Sequence, residues 1–202
     1  MSKRLVAVSA GLGRPSSTRL LADRLAAATG RHADVDVQVV ELRELATDIA
    51  QNMVTGFPAP RLRAAVDAVT SADGLIAVTP VFTGSYSGLF KSFFDIIDKD
   101  ALVGLPVLVA ATGGTARHSL VLDHAMRPLF AYLRALVVPT AVYAASEDWA
   151  SDGEGALAAR IDRAGGELAA FLEARPVRRS VDPLDEPVIP FAQQLAALAV
   201  EG

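Results

Sequence analysis

The feature that most constrains the fold of this chain is the regular alternation between short apolar runs and longer segments with helical periodicity. Apolar runs rich in β-branched residues predict strands at residues 4–9, 35–41, 74–79, 106–111 and 137–143. Helical patterns cover residues 16–29, 42–52, 87–97, 120–136 and 156–175, and a further helix begins at Pro60. Strands that alternate with helices predict a parallel sheet with helices on both faces.

Five such strands predict an α/β fold of the flavodoxin-like type, a five-stranded parallel sheet in the order 2-1-3-4-5. Gly30 is expected to end the first helix, and Pro80 to end the third strand. We expect this domain to occupy residues 1–175. Residues 176–202 are expected to form a C-terminal tail, extended as far as Pro190, with a short apolar helix at residues 192–200.

Composition and charge narrow the functional class. Of the 202 residues, 51% are hydrophobic, so the chain can bury a sizeable core, but no apolar run approaches the roughly 18 residues of a membrane span. The absence of cysteine excludes disulfides, a thiolate metal site and a cysteine nucleophile. The net charge of −4, without a basic block, argues against a nucleic-acid partner. We therefore expect a cytoplasmic protein without a membrane segment or a metal site.

The loop after the first predicted strand has the composition of an anion site. In an open parallel sheet, ligands bind beyond the carboxyl ends of the strands, and here the first strand leads into SAGLGRPSST. Backbone N–H groups at the following helix start favour a phosphate, and Arg14, Ser16, Ser17 and Thr18 add further donors. Two alternatives stay open: a plain capped helix, and a dinucleotide fingerprint with Glu41 as its ribose-binding acid. The second is weakened because Ser16 stands where the third glycine belongs.

The loops after the third and fourth strands indicate a flat ligand. The segment TPVFTGSYSGLFKSFFD combines Phe82 and Tyr86 with glycines and small hydroxyl residues, a mixture that suits a heteroaromatic ring. The segment ATGGTARHS precedes a predicted helix, so its free N–H groups could meet ring carbonyls. The simpler explanation for the first segment is a turn before a core helix, and for the second a tight Gly-Gly turn. The joint placement at one sheet edge favours a single crevice.

These motifs resemble the NADPH-dependent FMN reductase family of flavodoxin-like proteins over about residues 3–172, and in particular the flavin reductases of two-component monooxygenases. Most specific are PVFTGSYSGLFKSFFD and ATGGTARHSLVLDHAMRP. The resemblance implies that the first loop binds the FMN phosphate, the second lines the isoalloxazine and the third binds its pyrimidine side. Carried over by position, the implied FMN-binding residues are Ser9, Arg14, Ser16, Ser17, Thr18, Pro80, Val81, Phe82, Thr83, Gly84, Thr112, Gly113, Gly114 and Thr115.

The activity implied by this resemblance is NAD(P)H:flavin oxidoreduction. Hydride would pass from NADPH or NADH to FMN, so no catalytic side chain is required. The N–H groups of Gly114 and Thr115 would stabilise negative charge near N1 and O2 of the flavin. Reduced flavin would serve a monooxygenase, for which a luciferase-like enzyme is a family-level expectation, and a homodimer or homotetramer is expected. Two alternatives remain: a quinone or azo-dye reductase with bound FMN, and a non-enzymatic flavodoxin-like electron carrier.

Overall fold

The protein is built around one mainly parallel sheet. The structure, a computed structural model, describes residues 2–149 and 155–175. Its strands are β1 (Lys3–Ser9), β2 (Val35–Glu41), β3 (Gly74–Phe82), β4 (Ser85–Tyr86), β5 (Pro106–Gly113), β6 (Leu136–Val137) and β7 (Val142–Ala145). The order is β2-β1-β3-β5-β6; β7 also pairs in parallel with β5, and β4 pairs antiparallel with β3.

Helices cover both faces of this sheet, as the sequence predicts. They are α1 (Ser17–His32), α2 (Ala46–Thr55), α3 (Pro60–Ser71), α4 (Gly88–Asp95), α5 (Arg127–Tyr132) and α6 (Ala156–Glu173). Helices α1 and α6 enclose one apolar cluster with the sheet, whereas α2, α3, α4 and α5 enclose a second, larger one. Among the described helices, none combines the length and the apolar character needed to cross a membrane.

The flavodoxin-like α/β architecture is confirmed, but the count of five strands is wrong. The predicted fifth strand at residues 137–143 is divided into β6 and β7, which both pair with β5. Val107 of β5 pairs with Val137 and Ala110 pairs with Val142. Between these two pairings β5 advances by three residues, whereas the divided strand advances by five and must bulge. Pro139 lies in the resulting bulge, because proline has no N–H for a ladder hydrogen bond. The antiparallel β4 is the other addition.

The prediction that Pro80 ends the third strand is also wrong. Strand β3 continues to Phe82, and Pro80 pairs with Thr112 of β5. On its other side, β3 pairs with β1 only as far as Val78. Beyond Val78 that edge of β3 is open, so the missing proline N–H removes no hydrogen bond from the sheet.

Three helix boundaries differ from the sequence prediction. Gly30 lies inside α1, which continues to His32; Arg31 and His32 both contact Asp162 of α6, at 2.7 and 3.2 Å. The expected long helix at residues 120–136 is instead a π-helical turn (Leu122–Met126) followed by the short α5. Pro128 has no N–H to continue a regular ladder at this point. A 3₁₀ turn at Leu42–Leu45 precedes α2, where one helix was expected.

Helices α1 and α6 approach each other closely at one glycine. A Cβ atom on Gly165 would lie 2.7 Å from Cβ of Ala28 and 2.8 Å from the backbone nitrogen of Thr29. The close approach of α1 and α6 therefore requires glycine at position 165. The predicted tail extension and the helix at residues 192–200 lie outside the described residues.

Candidate active site

Loops from four strands meet in one cleft at the carboxyl edge of the sheet. The cleft has a volume of about 390 Å³ and lies at the carboxyl ends of β1, β3, β5 and β7. Its size falls within the range of small-molecule sites. The structure brings nine of the predicted residues to its wall: Ser16, Ser17, Thr18, Pro80, Val81, Phe82, Thr112, Gly113 and Gly114.

The first loop presents hydroxyl and N–H groups to one end of the cleft. Ser16 caps α1, and its Oγ accepts a hydrogen bond from the N–H of Arg19 at 3.2 Å. A Cβ on Gly11 would lie 2.1 Å from this Oγ, so Gly11 is required for the capping geometry. A helix start leaves its first N–H groups without intrahelical partners, which here are those of Ser17 and Thr18. Together these groups form an end of the cleft that can accept an anion.

Two arginines brace this loop from behind. Arg43 donates to the carbonyl of Gly13 at 2.8 Å and to Glu41 at 3.0 Å. Arg19 contacts Glu41 at 2.5 Å, and its hydrogen bond to Asp23, together with Glu41, raises its pKa. Glu41 is thus occupied by two guanidinium groups. It acts as a brace for the loop, which further disfavours the dinucleotide alternative.

Arg14 does not line the cleft in this conformation. Its side chain is 75% exposed and contacts Glu44 at 3.3 Å. Exposed pairs of this kind contribute only about 0–1 kcal/mol, so Arg14 can leave Glu44 at little cost. Ser9, another predicted contact, is buried at the end of β1 and does not line the cleft either. Their contacts with phosphate stay predictions.

The C-terminal end of β3, predicted as part of the second loop, supplies an apolar wall. Pro80, Val81 and Phe82 line the cleft, and the Phe82 side chain remains 47% exposed. Buried Thr79 fixes the segment, because its Oγ1 donates to the carbonyl of Pro80 at 2.9 Å and accepts from the N–H of Ser87 at 3.0 Å. The wall is therefore held by the start of α4.

The remaining predicted residues of the second loop lie at a hairpin tip. Val81 pairs with Tyr86 and Phe82 with Ser85, which leaves a two-residue turn of Thr83 and Gly84. Both have positive φ, 50° and 77°, as this turn type requires. They do not line the cleft.

The third loop is held by hydroxyl groups from two other elements. Oγ1 of Thr112 lies 2.8 Å from Oγ1 of Thr18, a buried contact that joins this loop to α1. The Tyr143 hydroxyl donates to the carbonyl of Thr115 at 2.8 Å. A Cβ on Gly113 would lie 2.0 Å from that hydroxyl oxygen, whereas a Cβ on Gly114 would meet open space.

Only a short 3₁₀ turn, Ala116–His118, follows Thr115. The helix start expected there is wrong, because the chain makes this turn before the π-helical turn that leads to α5. Burial, and then the negative charge of Asp148, raise the pKa of Tyr143. The phenol therefore remains a hydrogen-bond donor at neutral pH.

The fourth loop of the cleft was not predicted as part of the site. Ser146 and Trp149 line the cleft, as do Leu12, Gly13 and Pro15 of the first loop. Trp149 also packs partly against the cluster between α1 and α6. A signal was present, since SEDW follows the last strand and the carboxyl ends of parallel strands share one edge.

Comparison with known proteins gives a consistent result. A family model described as NADPH-dependent FMN reductase matches residues 3–150. The FMN reductase (NADPH) of Pseudomonas aeruginosa is 44% identical over 146 residues, 72% of this chain and 78% of that protein. The NADH-dependent FMN reductase SfnF of Pseudomonas fluorescens is 42% identical over 147 residues, 73% of this chain and 79% of that protein. The structure of an oxidoreductase from Corynebacterium diphtheriae superposes with a TM-score of 0.82 at 46% identity, covering 87% of this chain and 99% of that one.

The family match spans the whole sheet and all four loops of the cleft. It therefore agrees with the resemblance inferred from the glycine-rich and hydroxyl-rich loops, and it rests on more than half of the chain. This chain belongs to the NADPH-dependent FMN reductase family.

Proposed function

We infer that this protein is an NAD(P)H-dependent FMN reductase. The observation that carries this function is a single cleft with two chemically different ends. One end consists of the hydroxyls and N–H groups at the start of α1, and the other of the apolar Pro80–Val81–Phe82 wall facing the Gly113–Gly114 backbone. Related proteins of similar length are named FMN reductases, with NADPH or NADH as the donor.

The residues at the first end fit a terminal monophosphate. Ser16 and Ser17 supply hydroxyls, and the N–H groups of Ser17 and Thr18 point out of the helix start. A helix N-terminus also carries a partial positive charge that favours an anion. We propose that this end holds the FMN phosphate and that Arg14 swings from Glu44 to join it.

The residues at the other end fit a flat, partly polar ring. Phe82 and its apolar neighbours offer a surface for one side of the ring, while the backbone of Gly113 and Gly114 offers hydrogen-bonding groups without side chains. A Cβ on Gly114 would meet open space, so the backbone at this position is accessible to a ligand. Bound FMN would supply the acceptor for a hydride from the reduced nicotinamide.

The chain's own contribution is binding, orientation and electrostatics. We propose that the N–H groups of Gly114 and Thr115 donate to the pyrimidine edge, where negative charge develops on reduction. The Tyr143 hydroxyl holds the Thr115 carbonyl and so keeps this loop in place. No side chain is required as a general base, because the transferred group is a hydride.

Steady-state oxidation of NADPH and of NADH, each measured with FMN, FAD and a quinone, tests this function. We expect a protein that is colourless after purification and that oxidises NAD(P)H when FMN is added. A yellow protein active only with a quinone would instead establish the quinone or azo reductase. Failure to oxidise either nucleotide with any acceptor would favour the electron carrier.

We further propose a cytoplasmic homodimer or homotetramer that delivers reduced flavin to a monooxygenase. The reduced nucleotides that it uses support the location. Phe90, Phe93 and Phe94 are buried in the protomer's own core. The exposed apolar side chains of Leu120 and Tyr132, 61% and 73% accessible, are better candidates for a subunit contact. Light scattering after size-exclusion chromatography tests the assembly, and a coupled assay with a flavin-dependent monooxygenase tests the delivery.

A further inference from the structure

The only tryptophan of the chain lines the cleft and also contacts α1. Trp149 lines the cleft together with Ser16 and Ser17. Its ring also meets Arg24, whose guanidinium carbon lies 5.1 Å from the ring centroid. Arg24 follows Ser17 by seven residues, about two helical turns, so both lie on one face of α1. The indole therefore reaches the cleft from the side of α1, the helix whose N-terminus forms the end that we assign to the phosphate.

The tryptophan is held from several sides. It ends the 3₁₀ turn Ser146–Trp149, in which Asp148 accepts a hydrogen bond from the N–H of Ala145 at 2.8 Å. Arg160 of α6 lies 3.8 Å from the same carboxylate. The ring packs partly against the apolar cluster between α1 and α6, and the cation–π contact with Arg24 adds to this. Displacing the ring would break its packing in this cluster and its contact with Arg24.

We propose that Trp149 is a specificity-determining residue that closes the phosphate end of the cleft against flavins extended beyond their first phosphate. This inference rests on the proposed function. A terminal monophosphate ends where the hydroxyls and N–H groups of α1 receive it. The phosphate of FAD continues into a second phosphate and an adenosine. That extension must either displace the indole or turn towards solvent and pull the first phosphate out of its site. A steric obstacle of this kind gives specificity by penalising the wrong ligand.

Dissociation constants of riboflavin, FMN and FAD, measured for the wild type, Trp149→Ala and Trp149→Phe, test the proposal. Riboflavin has no phosphate, so its affinity reports whether the ring end of the cleft is intact. We expect Trp149→Ala to lower the ratio of the FAD to the FMN dissociation constant about tenfold, a typical size for removing a steric mismatch. Trp149→Phe keeps a flat ring and should change the ratio less than about threefold. Riboflavin affinity should stay the same in all three proteins.

Ser17→Ala is the matched control, because Ser17 lines the cleft at the start of α1. It should weaken FMN and FAD alike and leave their ratio unchanged, because both ligands carry the first phosphate. The proposal is overturned if the wild type binds FMN and FAD equally, if Trp149→Ala changes both affinities by the same factor, or if Ser17→Ala shifts the ratio as Trp149→Ala does. If the wild type binds FMN, any of these outcomes would refute the role of Trp149 but not the proposed reductase function. A wild type that binds no flavin and oxidises no NAD(P)H refutes the proposed function itself.

Discussion

The contact between Gly113 and Tyr143 predicts a strong, non-additive effect on stability. A Cβ on Gly113 would lie 2.0 Å from the Tyr143 hydroxyl oxygen and 3.1 Å from the carbon that bears it. Gly113→Ala must therefore displace the phenol and break its hydrogen bond to Thr115. Overpacking costs about 1–3 kcal/mol and the lost hydrogen bond about 1 kcal/mol, so we expect a loss of about 2–4 kcal/mol in the free energy of unfolding.

Tyr143→Phe separates these contributions. It should cost about 1 kcal/mol by itself. In its background the nearest ring atom is the carbon at 3.1 Å, which must shift by only a few tenths of an ångström to accept the new methyl group. The double variant should therefore be about 1–2 kcal/mol more stable than the sum of the single effects predicts.

Equilibrium urea unfolding of the four proteins, followed by circular dichroism, measures this coupling. FMN titration of the same proteins should follow the same pattern, because the loop that moves is the one that faces the ring. Single effects that add within about 0.5 kcal/mol would show that the hydroxyl is not what requires glycine at this position.

Three further predictions test other parts of the molecule. Gly165→Ala should destabilise the protein by about 3 kcal/mol, because its Cβ would collide with the backbone of α1. The Cβ of Gly166→Ala would meet only a side chain at 3.7 Å, so this variant should be neutral or stabilising by up to about 1 kcal/mol. Equal melting temperatures of the two variants would contradict this prediction. Arg14→Ala should raise the FMN dissociation constant at least about tenfold, because a hydrogen bond to a charged group contributes about 1.5–3 kcal/mol. Glu44→Gln frees Arg14 and should lower the same constant. Calorimetric affinities that change in neither variant would remove Arg14 from the phosphate site. The pKa of Tyr143 in the folded state lies above the ordinary value of 10.0, so the folded state keeps a proton that the unfolded state loses. The free energy of unfolding should therefore fall as the pH rises from about 10 towards the folded pKa. Tyr143→Phe should flatten that fall in urea unfolding at alkaline pH, and identical slopes would rule out the linkage.

Local pattern and topology together were sufficient to predict that the predicted loops meet in one cleft. Short β-branched runs that alternate with helices imply a parallel sheet, and the carboxyl ends of its strands share one edge. The loops at Ser16, Pro80 and Gly113 could therefore be expected to meet, and the structure brings them to one cleft. The fourth loop could have been added by the same argument, because Ser146 follows the last strand.

Several boundaries could not be predicted, because long-range neighbours override local preference. Gly30 favours a helix end, yet α1 continues to His32, which contacts Asp162 some 130 positions away. Pro80 is a strand breaker in isolation, but it lies beyond the point where β1 stops pairing with β3, so no hydrogen bond is lost. A proline therefore disrupts a strand only where a neighbouring strand would accept a hydrogen bond from an N–H at that position.

The sequence by itself determined the fold class, the edge of the sheet that carries the cleft and the chemical character of its loops, because these follow from periodicity and from residue type at strand ends. Only the tertiary structure decided which groups hold those loops in place. The Thr18–Thr112 contact joins residues 94 positions apart, and the Tyr143 hydroxyl reaches back 28 positions to Thr115. The partners in such contacts are selected by packing in three dimensions, and no local pattern of residues specifies that selection.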